Sequence, residues 1–215
     1  MKRFFAKTIL LRLALLVIAA ASTVAFPLSQ LGFASLHQFA VFLMIPSAIL
    51  LLATWIIATN RRQVEIARVI LWGGVGGAVA TVALEAVRYP GFRFGFMPGN
   101  LPQLMGVLLL DRFAIGPSAL SDLVGFAYHF WIGACFGIIY AVLATGRPAW
   151  WAVPYGLAIG LGFLVSPVVQ ALGVGLFGKD FGWHFAATVL TAHAAFGAAL
   201  GAFLSWKQLT SREAM

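Results

Sequence analysis

Long apolar stretches dominate the chain, and short polar or glycine- and proline-rich segments separate them. Apolar runs of about 20 residues are typical of transmembrane helices, because a rise of about 1.5 Å per residue carries such a helix across a hydrocarbon core of about 30 Å. The pattern predicts an all-α, polytopic membrane helix bundle with about six spans. Their approximate boundaries are 9–26, 38–59, 69–88, 123–144, 151–176 and 184–206.

Composition supports this interpretation. Of 215 residues, 62% are hydrophobic and only 9% are charged, whereas soluble domains carry about 25% charged residues. Too few charges remain to cover a surface that faces water, so we expect a lipid bilayer around the chain. The one cysteine, Cys135, falls within the fourth span and cannot form an intrachain disulfide.

The net charge of +8 reflects orientation rather than a nucleic-acid partner. Ten of the fourteen lysines and arginines lie on the side of the membrane that holds both termini. The positive-inside rule predicts that this side is cytoplasmic. The ten are Lys2, Arg3, Lys7, Arg12, Arg61, Arg62, Arg68, Arg147, Lys207 and Arg212; the other four are Arg88, Arg93, Arg112 and Lys179.

The N-terminal stretch also resembles a secretory signal peptide, with a basic start, an apolar run and small residues after it. Arg12 interrupts the apolar run and favours a first helix that is not cleaved. Cleavage stays open as an alternative, and it would leave the other five spans oriented in the same way.

We expect a single membrane domain over residues 1–215. Two leading spans (1–60) precede a first hairpin (69–144) with an outer loop (89–120) and a second hairpin (151–206). Glycines recur four residues apart in both hairpins: Gly73, Gly77, Gly133 and Gly137 in the first correspond to Gly156, Gly160, Gly197 and Gly201 in the second. The correspondence indicates a possible parallel repeat. Small residues at this spacing allow helices to approach closely, which predicts helix packing and would also suit a homodimer.

The outer loop contains a segment that is apolar yet too short to span the bilayer, Leu101–Leu110. The prolines and glycines around it break helices. Such a segment is typical of an interfacial or re-entrant piece. We expect it to cover the outer end of the first hairpin, with packing favoured over gating as its role.

Three ionisable residues are predicted inside the membrane, namely Glu85, His129 and His193. Ionisable groups within a bilayer are costly and mark functional sites by default. All three fall at similar depth in the outer leaflet, so neighbouring third, fourth and sixth spans would bring them into one polar cavity. Histidine also changes charge near neutral pH, which suits proton handling.

The sequence leaves several functions open. The favoured one is proton or small-solute handling at this Glu/His site. A second is a b-type haem protein with His129 and His193 as the axial ligands; no other metal or cofactor site is predicted. A third is an accessory or structural subunit whose histidines only hydrogen-bond within a larger membrane complex. No nucleophile elbow, phosphate loop or Cys-x2-Cys pattern occurs, so an enzyme is not favoured.

Three helix-end features are also predicted. Asp122 is expected to cap the start of the fourth span, and Asp180 is expected to do the same near the start of the sixth. Pro167 is expected to kink the fifth span, where the polar group of Gln170 could join the cavity.

The third to sixth spans resemble the YagU-type family of small bacterial inner-membrane proteins. The resemblance rests on Glu85 followed by the proline- and glycine-rich outer loop, on "YHFWIGACFGIIYAVL" and "WWAVPYGLAIGLGFLVSPVV", and on the histidine of "TAHAAFGAALG". It covers about two-thirds of the chain. The resemblance implies a location in the bacterial inner membrane and a link with acid tolerance, and it implies no catalytic residues.

Overall fold

A computed structural model describes residues 2–144 and 147–207, with side chains described from residue 9 onward. Within this part the chain is helical and contains no strand, so the prediction of an all-α bundle is confirmed. The helices are α1 (Lys2–Gln30), α2 (Leu36–Asn60), α3 (Val64–Arg93), α4 (Leu101–Leu109), α5 (Ala119–Leu143), α6 (Ala152–Leu164), α7 (Pro167–Ala171) and α8 (Trp183–Trp206). Arg212 and the side chains of Lys2, Arg3 and Lys7, which the charge count includes, lie outside the described part.

Six helical segments of the described chain are long and apolar enough to cross a bilayer, which makes this a multi-pass membrane protein. They extend the predicted spans at several ends; the third runs from Val64 to Arg93. In the most apolar 18-residue stretch of α3, of α5 and of α8, 44% of the residues are buried, compared with 17% in the corresponding stretch of α2. Helices α3, α5 and α8 therefore form the centre of the bundle, and α2 lies mostly against lipid.

The predicted glycines lie where α3 and α5 touch. A Cβ atom on Gly77 would overlap the backbone carbonyl of Gly133, and one on Gly137 would overlap the carbonyl of Gly73. The two helices thus pack backbone to backbone, an approach that a side chain at these positions would prevent.

The second hairpin repeats this arrangement between α6 and α8. A Cβ atom on Gly156 would overlap the carbonyl oxygen of His193, and one on Gly197 would overlap that of Ala152. Gly160 faces the imidazole of His193, whose Cβ and Cγ atoms would lie 3.0 Å from an added Cβ. Gly201 closes the contact against Ala149. Glycines therefore line the close helix contact in both hairpins, but the pairing in the second is shifted by one turn, since Gly73 packs against Gly137 whereas its counterpart Gly156 packs against His193 and Gly197.

The fifth span is broken rather than kinked. Helix α6 ends at Leu164, and α7 begins at Pro167 after Ser166, whose backbone is extended (φ −72°, ψ 158°). Proline disfavours a helical conformation in the residue before it and lacks the N–H that would continue the helical ladder. Gln170 is exposed and does not line the central cavity described below.

Helix α4 lies across the start of α5. A Cβ atom on Gly106 would overlap the carbonyl of Ser121, and Gln103 Nε2 donates to both carboxylate oxygens of Asp122 at 3.1 and 3.2 Å. The N-cap of α5 is Ser118, so the expectation that Asp122 caps this helix is wrong. Asp122 is used instead to hold the short helix in place.

Helix α8 likewise begins without an acidic cap. Its N-cap residue is Gly182, with φ of 112° and no side chain to accept a hydrogen bond, so the expected capping role of Asp180 is wrong. The positive φ explains the choice of residue, because glycine adopts this conformation without the steric cost of a Cβ atom.

A buried polar network ties α1 and α2 to α5. Ser22 of α1 lies 3.0 Å from the hydroxyl of Ser47 in α2, and its hydroxyl oxygen accepts a hydrogen bond of 2.9 Å from the indole N–H of Trp131. The Tyr128 hydroxyl donates to the backbone carbonyl of Ser22 at 3.0 Å. The first helix is therefore fixed to the bundle by specific contacts.

Candidate functional site

The candidate site begins with two residues one turn apart on α3. Arg88 Nε donates to Glu85 Oε1 at 2.6 Å, and a terminal guanidinium nitrogen donates to Glu85 Oε2 at 2.7 Å. That same nitrogen donates to the side-chain oxygen of Asn100 at 3.1 Å. Arg88 is only 5% exposed. A buried charge needs a partner of opposite charge, and the forked pairing supplies one.

Glycine packing brings α5 alongside this pair. Along α3, Gly77, Thr81 and Glu85 follow one another at four-residue spacing and so share one helix face. On the antiparallel α5, Gly133 packs against Gly77 and Thr81, and His129 stands one turn further on, beside Glu85. His129 Nε2 lies 2.8 Å from Glu85 Oε1, although its N–H is not aligned for a hydrogen bond.

His193 reaches the same region from α8. Its Nδ1 atom lies 2.8 Å from the carbonyl oxygen of Val189, one turn earlier on the helix. A carbonyl oxygen only accepts hydrogen bonds, so Nδ1 carries the hydrogen, and Nε2 of the neutral ring is unprotonated. The imidazole stacks beside Phe163 of α6, with 6.4 Å between ring centroids.

His129 and His193 both line a central cavity of about 370 Å3. Of the three residues predicted to share a polar cavity, Glu85 is not part of the wall; it contacts His129 and Arg88 from behind, and Arg88 takes its place. The wall is otherwise mostly apolar. Its other residues are Thr23, Val24, Phe26, Pro27, Leu84, Met97, Leu101, Met105, Ile132, Phe136, Ile159, Gly162, Phe163, Ser166, Val168, Val189 and Ala192.

The cavity opens sideways between α1 and α6. Val24 of α1 and Gly162 of α6 both line it, and both are exposed. Helix α1 packs mainly on α5, α2 and α7, whereas α6 packs mainly on α8, so α1 and α6 do not pack extensively on each other. In a membrane this opening faces lipid, and an apolar molecule could enter from the bilayer.

Three buried polar atoms of the cavity residues have no hydrogen-bond partner within the described chain. They are a terminal nitrogen of Arg88, Nη1, the hydroxyl oxygen of Ser166, and Nε2 of His129, which lies beside Glu85 without an aligned hydrogen bond. Buried polar groups are nearly always satisfied in folded proteins, so each of these calls for an explanation. Arg88 Nη1 and the Ser166 hydroxyl can donate hydrogen bonds, and acceptor atoms of a ligand in the cavity could satisfy them.

The haem alternative receives no direct support from this geometry. His129 Nε2 lies against the Glu85 carboxylate instead of facing the open cavity. In the part of the chain that the structure covers, no three His, Cys, Asp or Glu side chains come close enough to hold a metal ion. Haem ligation by His129 and His193 therefore stays a prediction, which an absorption spectrum can test.

Comparison of the chain with protein-family models, with curated proteins and with solved structures gives no match. The resemblance to the YagU-type family therefore stays a prediction.

Sequence reasoning missed Arg88, which was counted among the charges outside the membrane. The signal that could have found it is its spacing from Glu85, because oppositely charged residues three apart face each other on a helix. Ser166 and the wall contributed by α1 had no such signal, since they reach the cavity only through tertiary packing.

Proposed function

We propose that this protein takes up a small amphipathic molecule from the bilayer and holds it in the central cavity. The observation that carries the proposal is an apolar cavity, open toward lipid, into whose wall the buried and partly unpaired guanidinium of Arg88 is built. Ligand sites combine a mostly apolar wall with a few placed polar groups and usually enclose about 300–1,000 Å3. The cavity meets each condition.

The chemistry of the wall indicates what is recognised. An apolar chain gains little by moving from lipid to an apolar cavity, because both surroundings are equally dry. Selectivity must therefore come from the polar head of the ligand. Hydrogen bonds from a charged donor are about twice as strong as neutral ones, and a low dielectric strengthens them further. Arg88, with Ser166 as a second donor, is the group we assign to this task.

Proton handling is the second candidate, and the contact between His129 and Glu85 favours it. A titratable ring against a carboxylate, beside a cavity inside a membrane, is the arrangement from which proton relays are built. The two candidates are compatible, because a ligand in the cavity would lie next to His129, which contacts Glu85 behind it.

We place the protein in a bacterial inner membrane with both termini in the cytoplasm. The charge bias of the loops supports this orientation, and the YagU-like pattern supports the membrane. In this orientation the Glu85–Arg88 pair lies in the outer half of the bilayer. The glycine faces of both hairpins are occupied within the chain, so a homodimer or a larger complex would have to use other surfaces.

Photolabelling tests the proposal. Membranes that contain the protein are incubated with hexadecanoic acid or hexadecanol carrying a diazirine at mid-chain, irradiated and digested, and labelled peptides are located by mass spectrometry. We expect label from at least one probe on cavity-lining segments, in particular those that carry Met105 and Phe163.

A cavity-filling variant supplies the decisive comparison. Gly162 lines the cavity, and an added Cβ there would have no atom within 4 Å, so Gly162→Trp should fold and block labelling. Leu52→Trp, on the lipid-facing side of α2 where Leu52 is 55% exposed, should leave labelling unchanged. If Gly162→Trp lowers the yield of folded protein, Gly162→Leu is the smaller filler. Label spread evenly over lipid-facing helices, and unaffected by either filler, would overturn the proposal.

A further inference from the structure

The charges around the cavity place a condition on what can bind there. Among the described residues, the wall contains one permanently charged side chain, Arg88, and its charge is balanced by Glu85 behind it. With His129 neutral, the cluster carries no net charge. A neutral cluster is the form that a low-dielectric interior tolerates best.

The unpaired atoms point to an acceptor-only head group. Arg88 Nη1 can only donate, and the Ser166 hydroxyl has a hydrogen to donate. An ionised carboxylate has two oxygens that only accept, and arginine binds carboxylates with matched geometry. One carboxylate could therefore satisfy the free guanidinium nitrogen while Nε and the other terminal nitrogen stay on Glu85.

Such an anion would unbalance the cluster. Arg88 would then face two carboxylates, and the net charge would become −1. A proton on His129 would restore neutrality, because its Nε2 atom already lies 2.8 Å from Glu85 Oε1. The cluster would then hold two cations and two anions in alternation. Binding of the anion and protonation of the histidine would strengthen each other, as thermodynamic linkage requires.

We infer that the ligand is a single-chain amphipathic anion of the carboxylate class and that its binding places a proton from water on His129. This inference rests on the proposed function and names the substrate and proton stoichiometry of the same cavity. Its volume of about 370 Å3 lies near the lower end of ordinary ligand sites, about 300–1,000 Å3. That size suits one chain better than the two chains of a phospholipid. In total, the protein takes up one anion and one proton, which together equal one neutral acid.

No other titratable group around His129 is better placed to accept the proton. From α3 it faces Glu85 and Arg88. From α8 the nearest titratable group is His193, whose Nδ1–H is already held by Val189. The cavity residues from α1, α6 and the α3–α5 connection include no titratable side chain. A variant at His184, an exposed histidine outside the cavity wall, serves as the matched control for a variant at His129.

Decane-1-sulfonate is the probe of choice, because it stays ionised at every working pH, and any proton taken up must go to the protein. Protein in lipid nanodiscs is titrated calorimetrically at pH 7.5 in buffers of different ionisation enthalpy, with empty nanodiscs subtracted. We expect uptake of about one proton per bound sulfonate by the wild type. His129→Gln should take up none, and His184→Gln, at an exposed histidine outside the cavity wall, should behave as the wild type.

Two further titrations test the head group. Arg88→Gln should weaken sulfonate binding by about tenfold or more, because it removes a charged donor. Decanol, the uncharged counterpart, should bind the wild type more weakly than the sulfonate does. Sulfonate binding without proton uptake, or equal binding of decanol, would overturn the inference. Photolabelling that succeeds while sulfonate fails to bind would also overturn it and leave the proposed function standing. Failure of photolabelling and titration together would remove both.

Discussion

The Nε2 atom of His129 lies 2.8 Å from Oε1 of Glu85, across the interface between α5 and α3. This relationship depends on the glycine contacts one and two turns away, because they set how closely the two backbones approach. Substitutions at the glycines that set the packing of α3 on α5 should therefore also change the geometry of the site.

Gly77→Ala should destabilise the bundle strongly. The added methyl group would overlap the backbone of Gly133, which cannot turn aside as a side chain can. Overpacking of this kind costs about 1–3 kcal/mol, and we expect the free energy of unfolding in mixed micelles to fall by that amount.

Gly74→Ala is the matched control for Gly77→Ala. Its added Cβ would lie 3.7 Å from the nearest atom of Ile138, which is ordinary van der Waals contact. The higher helix propensity of alanine should leave stability unchanged or raised by up to about 1 kcal/mol. Equal losses in the two variants would contradict the close approach of α3 and α5.

Arg88→Gln should also destabilise the protein, since it leaves the Glu85 carboxylate without its guanidinium partner. Removing one member of a buried ion pair costs about 3–5 kcal/mol. Adding Glu85→Gln should recover much of this loss, because the double variant has no uncompensated charge. Arg93→Gln, at an exposed position near the end of the same helix, should have little effect. A double variant no more stable than Arg88→Gln alone would show that the two residues are not coupled.

Ser22→Ala should loosen the first helix. The substitution removes the acceptor of the Trp131 indole N–H inside the bundle, and an unsatisfied buried donor costs about 1–3 kcal/mol. Combining it with Trp131→Phe should cost less than the sum of the two single changes, because no donor is then left unpaired. Thr59→Ala, which removes an exposed hydrogen bond within α2, is the control and should be nearly neutral. Additive losses would argue against the contact.

Asn100→Ala should release the connection between α3 and α5 at its contact with the site. Asn100 directly precedes α4, and its side-chain oxygen accepts a hydrogen bond of 3.1 Å from Arg88. This bond anchors the start of α4 to the site. We expect faster amide hydrogen exchange in residues 94–104, with little change near Gly106 and Ser121, where α4 packs on α5. Unchanged exchange throughout would indicate that the contact contributes nothing to order.

The spans and the glycine contacts could be predicted because their signals are local. A run of apolar residues indicates a membrane helix wherever it stands, and a four-residue glycine spacing places small residues on one face whatever the partner helix is. The matched positions of Gly133 and Gly197 in the two hairpins could for this reason be recognised from spacing alone. The break at Pro167 was also visible, although proline does not show whether a helix will bend or stop.

Several features of the site could not be predicted, because they depend on which helices become neighbours. Arg88 lies at the end of a predicted span. It is buried because it pairs with Glu85 and because Asn100 packs over it and accepts its hydrogen bond. The first helix looks like an ordinary apolar span, yet Thr23 and Phe26 form part of the cavity wall. The cap of α5 was missed for a different reason: Ser118 and Asp122 are both suitable caps, and the partner of Asp122 lies in another helix.

Native mass spectrometry of the protein, released directly from membranes into a mild detergent, tests the central claim most directly. We predict that the wild type retains one small amphipathic molecule per chain and that Gly162→Trp, prepared in the same way, retains none. Fragmentation of the released molecule should identify a single-chain acid. Identical ligand-free masses for the wild type and Gly162→Trp would contradict the account, as would loosely bound phospholipid in equal amounts on both.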